Sequence, residues 1–599
     1  EAASELYFGR PASALSTGQA ALLAGLAGSP DRFDPFRHPE AARARMEQVL
    51  ARMRRAGAID AEDMRIARAA PLDLVSRRAA FEDPHLVSWL SGSLPALGLD
   101  RAVRVETTID PALQHDVEEG LREEIEGLRD RRVTNAAAIV IDNASGEILA
   151  YAGSVDFLDD DHGGQNDGVR AMRQPGSALK PFAYGLGIAR GRTPGDLLPD
   201  VETHLSTASG DYVPKNYDRR VHGPVRLREA LANSYNVPAV RLADDLGPDQ
   251  VLGLLRTAGF ESLTGDPSDY GVGIVLGDGD VSLRELARAY RGLALGGVVA
   301  PITEVRAAWD AAGAPIAIAP EMRARRFLPR DAVALVTDII SDEGARAPAF
   351  GLDNALRLPF PVAAKTGTSR AYVDNWCVGF THERTVAVWV GNFDGKPMVR
   401  VSGITGAGPI FKRVMTRAMR GIRPAPLVDR ARFEKARICA LSGRLAGAHC
   451  PSTIDEVYLP GSAPKDFCPM HREGKDGRAV VDVGPEFYGW AAGEGLDDGP
   501  WPGGGAAGTA GKLLQPADGD EFLLEPGMPA GAQAIPVRAL APAGVTTLTL
   551  VADGARRELR APFTTAVTAT PGTHRMELWT PGGAAPIAVA EYRVKGGDP

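Results

Sequence analysis

The sequence contains no apolar run near the roughly 18 residues that a membrane helix needs; its longest candidates are short Ala/Leu stretches such as Ala20 to Gly28. Nothing in it is expected to span a bilayer. At Glu1 it also lacks the charged, apolar and small-residue succession of a signal peptide, so it reads as a fragment whose N-terminal anchor is expected upstream. A basic excess is missing too: 67 Lys and Arg stand against 76 Asp and Glu, a formal charge of -9. That balance gives no net attraction for phosphates and argues against nucleic acid as a partner. With 44% hydrophobic and 24% charged residues, extensive disorder is excluded. At 599 residues the chain is too long for one hydrophobic core, so two to four domains are expected.

What is present divides along the chain. In residues 1–70, Leu15, Leu22, Leu23 and Leu26, then Met46, Val49, Leu50 and Met53, recur at helical spacing. From about Val103 the pattern changes, with Ala136 to Ile141 and Glu147 to Tyr151 reading as a β-hairpin around Asn143 to Gly146. Ser282 and Glu285 have capping-box spacing ahead of Leu286, Tyr290 and Leu293, with Gly296 and Gly297 as the stop. Strands return at Val362 to Ser369, Asn375 to Phe380 and Thr385 to Val390. Strands flanking a helical block predict one α/β (α+β) domain over 103–425, after a linker at 71–102. A Cys- and His-containing connector follows at 426–492. Gly493 to Gly511 reads as a Gly-rich linker, and 513–599 carries the alternation of a small all-β sandwich.

Three short motifs occur in order: Ser177-Ala-Leu-Lys180, Ser234-Tyr-Asn236 and Lys365-Thr-Gly-Thr368. Each alone is weak, and Ser462-Ala-Pro-Lys465 repeats the first in a Pro-punctuated loop with no apolar run to anchor it. Ser177 is different because Pro181 and the apolar run beyond it start a buried helix. Pro belongs in a first turn, where N–H groups have no intrahelical partner, so Ser177 sits at the helix start with Lys180 on the same face. A lysine that is half neutral at pH 7 needs its pKa lowered by about three units, roughly 4 kcal/mol. Desolvation, the helix end and a second cation, for which Lys365 is the candidate, all push that way. Ser234 to Asn236 fall in a break between helices, where a hydroxyl can relay a proton and an amide can fix a carbonyl. Lys365 to Thr368 end a strand. Alternation places Gly367 toward the cleft, and the strand edge suits a peptide whose carboxylate meets Lys365 with Thr366 or Thr368. Backbone N–H groups of Ser177 and Thr368 are candidate oxyanion donors.

Arg173 to Phe182, Ser234 to Asn236 and Lys365 to Thr368 together resemble the three active-site motifs of the penicillin-binding transpeptidases. Thr107-Thr-Ile-Asp110 with Gln114 resembles the entry to that domain. Tyr7-Phe-Gly with Gln19 to Leu26 resembles the tail of the glycosyltransferase domain of class A members. The resemblance implies a penicillin-binding transpeptidase fold, an antiparallel sheet flanked by helices. It implies Ser177 as nucleophile, Lys180 as its base, Ser234 and Asn236 as second motif, and Lys365, Thr366, Gly367 and Thr368 as the substrate-carboxylate strand. It further implies peptidoglycan stem peptides and lipid-linked precursors as partners, β-lactams as inhibitors, no cofactor and an extracytoplasmic location. The family's glycosyltransferase glutamates are expected upstream of Glu1, so glycan polymerisation is not expected of this chain by itself.

Cys377 falls inside a predicted strand and reads as a small buried hydrophobe. Cys439, Cys450 and Cys468, with His471 close behind, fit either a structural zinc site or one disulfide plus a spare thiol. The extracytoplasmic location implied by the resemblance inclines the expectation to the disulfide. The acidic stretch Asp156 to His162 does not have EF-hand spacing and is expected to be a solvated loop.

Overall fold

A computed structural model describes residues 2–30, 32–75, 82–207, 210–473, 479–494, 511–524, 533–542, 545, 547–560 and 563–595. The chain forms two compact units, residues 1–90 and 91–599. The expected Gly-rich linker lies almost wholly outside the described residues. Among the described residues no helix is long and apolar enough to cross a membrane.

The first unit holds helices α1 (Thr17–Leu26), α2 (Pro39–Arg55) and α3 (Ala61–Ala69). Ser16 caps α1 reciprocally with Gln19, satisfying N–H groups that a helix start leaves without partners. Leu22, Met46, Leu50 and Met64 form its core, with Leu15, Leu23, Val49 and Met53 packed around them. The helical spacing of these residues in the sequence therefore corresponds to one buried face.

In the second unit, α4 (Pro111–Glu126) precedes the hairpin of β1 (Asn135–Asp142) and β2 (Ile148–Ala152). Next come α5 (Lys180–Ala189), β3 (Leu197–Asp200), β4 (Gly223–Arg226), α6 (Leu227–Ala232) and α7 (Asn236–Leu246). Helices α8 (Leu283–Ala294) and α9 (Arg330–Ile340) lead to β5 (Ala363–Thr368), β6 (Asp374–Phe380) and β7 (Arg384–Gly391). Then follow α10 (Ala407–Ala418) and a hairpin of β8 (Glu434–Cys439) and β9 (Thr453–Tyr458). The central sheet has the order β5-β6-β7-β1-β2 with every neighbour antiparallel.

Helices α4 and α10 bury one face of this sheet, packing Val117, Leu121, Phe411 and Val414 with Val140, Cys377 and Val388. Cys377 is fully buried, as its place in a strand predicts. The capping box at α8 forms, with the Ser282 hydroxyl accepting from the Glu285 N–H at 3.1 Å and the Glu285 carboxylate accepting from the Ser282 N–H at 3.0 Å. Beyond the connector, strands Lys512–Gln515, Ala534–Leu540 and Thr564–Thr568 form one sheet. Among the described residues five more form a second, and Val537, Leu548, Leu550, Met576 and Leu578 fill the core they share. Two sheets around one apolar layer match the sandwich that the alternation predicts.

Candidate active site

Residues Gly176–Leu179 form a single 3₁₀ turn that runs directly into α5, with Pro181 in the first helical turn. Ser177 is half-buried while Ala178, Leu179 and Lys180 are buried. The turn is clamped from several sides. The Trp376 indole donates to the Gln174 carbonyl at 2.7 Å, and the Tyr290 hydroxyl donates to the Ala178 carbonyl at 2.7 Å. Gly176 has φ +55°, and a Cβ there would lie 2.7 Å from the Thr368 nitrogen. The serine turn therefore lies directly against the end of β5, so only glycine fits at that point.

Lys180 is completely buried, and its ammonium reaches into the break between α6 and α7. It donates to the Ser234 carbonyl at 2.6 Å, the Tyr235 carbonyl at 3.0 Å and Asn236 Oδ1 at 2.7 Å, and stands 3.4 Å from Ser234 Oγ. Lys365, on the edge strand β5, donates to the same Ser234 Oγ at 2.7 Å and to the Thr366 carbonyl at 3.0 Å. One hydroxyl thus bridges two buried amines. Ser234 holds φ +61°, an uncommon backbone state for a residue with a side chain and one that concentrates at functional sites.

Burial holds the Lys180 ammonium well below the usual lysine range, Lys365 adds repulsion, and Asp200 partly opposes both. Burial also brings Lys365 down to about 7, with the Arg346 guanidinium adding to the shift. Desolvation, the largest cause, and the second cation are two of the effects expected from the sequence. Two cations this close titrate as a pair, so the first proton is lost well before either lysine would release one in water.

Structure and expectation part at Gly367. Its α-carbon faces the chain's own serine turn: a Cβ there would meet the Pro175 carbonyl oxygen at 2.2 Å. The backbone that the glycine admits is internal. Thr368 accepts from the Gly403 N–H through its hydroxyl at 2.9 Å, which ties the end of β5 to the loop before α10.

A second layer of residues escaped the sequence reading. Strands β3 and β4 pair so that Asp200 stands opposite Gly223, next to His222. His222 Nδ1 lies 2.5 Å from the fully buried Asp200 carboxylate and Nε2 lies 3.0 Å from Asp218. The imidazole stacks on Tyr235 at 4.0 Å between ring centroids. Asn216 donates to both Asp200 oxygens at 2.8 Å, and its own Oδ1 accepts from the N–H groups of Asn236 at 2.7 Å and Val237 at 3.2 Å. Asn216 therefore caps α7 at the residue that binds Lys180.

Burial pulls the His222 pKa down, but hydrogen bonds to Asp200 and then Asp218 outweigh it and raise the value to about 9. A folded value above the unfolded one, ~6.5, gives stability that is complete below about 6.5 and lost as pH rises through about 9. The loss should amount to at most about 3 kcal/mol. We predict that the urea midpoint of the wild type falls relative to His222→Gln between neutral pH and pH well above 9. Parallel pH curves for the two proteins would contradict this.

Cys439, Cys450, Cys468 and His471 come together at the β8–β9 hairpin, and all three thiols are free.

The family "Penicillin binding protein transpeptidase domain" matches residues 136–416. "Transglycosylase" matches residues 1–54, and "Penicillin-binding protein 1A, C-terminal domain" matches 432–473. Penicillin-binding protein 1C of Escherichia coli (strain K12) is 31% identical over 485 residues, covering 80% of this chain and 59% of the relative. The chain belongs to the class A penicillin-binding proteins. Penicillin-binding protein 1B of Vibrio cholerae is 30% identical over 426 residues, 69% of this chain and 53% of the relative. The chain thus spans between half and two thirds of these relatives' lengths. The crystal structure of penicillin-binding protein 1A from Haemophilus influenzae shares the fold at a TM-score of 0.58 and 18% identity, covering 78% of this chain and 89% of that one. In this penicillin-binding protein the sheet, the serine turn and the α6–α7 break all fall within the transpeptidase match.

Proposed function

We propose that this chain cross-links peptidoglycan as a serine D,D-transpeptidase. Neutral Lys180 takes the proton of Ser177 as its oxygen attacks the penultimate D-Ala carbonyl of a stem peptide. Backbone N–H groups of Ser177 and Thr368 receive the developing oxyanion. The proton then passes from Lys180 through the Ser234 hydroxyl to the departing nitrogen, the C–N bond breaks, and terminal D-Ala leaves. The amine of a neighbouring strand attacks the resulting ester and restores the serine. Lys365, with Thr366 and Thr368, holds the terminal carboxylate of the donor. Asn236 fixes Lys180 and stands ready for a substrate amide.

The observation that carries this reading is the convergence of both buried lysines on Ser234 Oγ beside the serine turn. A structural ion cluster would recruit carboxylates, whereas two buried cations bridged by a hydroxyl suit a site that needs an amine without its proton. β-Lactams should acylate the same serine, on the extracytoplasmic face of the inner membrane where stem peptides and lipid-linked precursors meet.

Incubation with labelled penicillin followed by peptide mass spectrometry should place a stable adduct on the peptide bearing Ser177, with none in Ser177→Ala. An unlabelled wild type would instead favour a non-catalytic wall-binding scaffold.

A further inference from the structure

We propose that Cys439, Cys450, Cys468 and His471 bind one structural Zn²⁺ that fastens the connector after the transpeptidase domain. The ligand atoms of these four side chains all lie within 4.8 Å of one another. His471 Nδ1 is 3.3 Å from the Cys439 sulfur and 3.2 Å from the Cys468 sulfur. Tetrahedral ligands about 2.0 to 2.3 Å from a shared zinc stand roughly 3.5 to 3.8 Å apart, so four donors so placed need little movement to close on an ion. A disulfide needs two sulfurs and no imidazole; it accounts neither for the third thiol nor for the ring nitrogen between two of them. Three sulfurs and one nitrogen are also a soft donor set that selects zinc over calcium or magnesium.

The surroundings fit a thiolate site. Cys439 ends β8, and the chain turns back at once: the Gly443 N–H donates to the Cys439 carbonyl at 3.0 Å and the Cys439 N–H to the Arg444 carbonyl at 2.8 Å. The Gly447 N–H donates to the Cys450 sulfur at 3.3 Å. Donors of this kind offset thiolate charge and orient metal ligands. The Cys468 N–H donates to the Leu445 carbonyl at 2.8 Å, bringing the Cys-Pro-Met-His turn onto the hairpin.

The need for a staple is physical. The segment matched to the C-terminal family covers only residues 432–473. Segments near 40 residues bury too little apolar surface to hold themselves together and commonly rely on disulfides or metals. Here the hairpin also presents Glu456, on β9, to Arg228, the second residue of the α6 helix that leads to Asn233 and Ser234. A zinc at the far end of β8 and β9 would hold that pairing in register.

The test uses the whole chain, purified without chelator, with metal measured by plasma mass spectrometry and thiols counted by intact mass. About one zinc per chain is expected, with Cys450→Ser and His471→Ala each retaining less than about a tenth of it. Replacement by Co²⁺ should give a thiolate-to-metal absorption band that Cys450→Ser loses. Labelled-penicillin adduct formation in these variants reports separately on the transpeptidase site, which none of the four ligands touches. A chain free of zinc whose mass falls by a pair of hydrogens, from a disulfide among the three cysteines, would overturn the proposal. So would a metal-free chain with all four cysteines as free thiols and unchanged melting on added zinc.

Discussion

Lys180→Ala should slow acylation by a β-lactam about 10²- to 10⁴-fold, the usual contribution of a positioned general base. The rate, followed as labelled adduct against time, should fall while the protein stays folded. Some stability is also lost, because Lys180 is the donor to the Ser234 and Tyr235 carbonyls and to Asn236 Oδ1. Leaving such buried acceptors unpaired costs about 1 to 3 kcal/mol each. Lys180→Met keeps more of the volume and separates the two effects: its acylation defect should match that of the alanine variant although its cavity is smaller. If Lys180→Met acylated at the wild-type rate, Lys180 would have a structural role and the proton would have to leave Ser177 by another route.

Arg228→Met should destabilise the second unit by about 3 to 5 kcal/mol. Arg228 donates through Nε to both Glu456 oxygens at 2.8 and 3.0 Å and through its other nitrogens to Asp338 at 2.8 Å and Asp342 at 3.0 Å. Its pKa stays high because those carboxylates more than compensate its burial. Asp338 and Glu456 are each only 2% exposed, so removing the guanidinium leaves two buried negative charges undercompensated, a larger cost than the lost contacts alone. Arg430 still donates to Asp338 at 2.7 Å and Arg226 stays 3.5 Å from Glu456, so each carboxylate keeps one weaker cationic partner. Glu456→Gln should cost less, since it keeps an acceptor for Arg228 and removes one of the charges. Chemical unfolding of the three proteins measures this order; equal midpoints for Arg228→Met and wild type would show that the cluster carries no stability.

The Arg228 cluster also shows where sequence reading stops. Helix α6 and strand β9 are each readable locally, but Arg228 and Glu456 are separated by 228 positions, and nothing in either neighbourhood marks them as partners. The same holds for Asp200 and His222, which meet only because β3 and β4 pair. Asn216 had a weak signal, a polar Asn-Tyr-Asp group ahead of Gly223-Pro, yet its task of capping α7 appears only once the loop is placed. By contrast, the β1–β2 hairpin, the α8 capping box and the start of α5 around Pro181 are set by turn residues and spacing within a few positions, and all were legible. The three motifs were legible as chemistry because a lysine acting as a base needs its pKa lowered, and Lys365 in the third motif was the candidate for the second cation that helps to lower it. Gly367 was misread since alternation gives the face of a strand but not what lies against it, here the Pro175 carbonyl.

The state of the lysine pair is the point on which the proposed chemistry turns. The direct measurement is the second-order rate of β-lactam acylation of the wild type across pH 5 to 10, the range that spans ordinary lysine behaviour at its upper end. An acid limb that levels off well below the ordinary lysine range is expected, because burial and the repulsion of Lys365 lower the Lys180 pKa. A rate still climbing about tenfold per pH unit through pH 9 would mean that the amine beside Ser177 keeps its proton like a lysine in water, and would contradict the account.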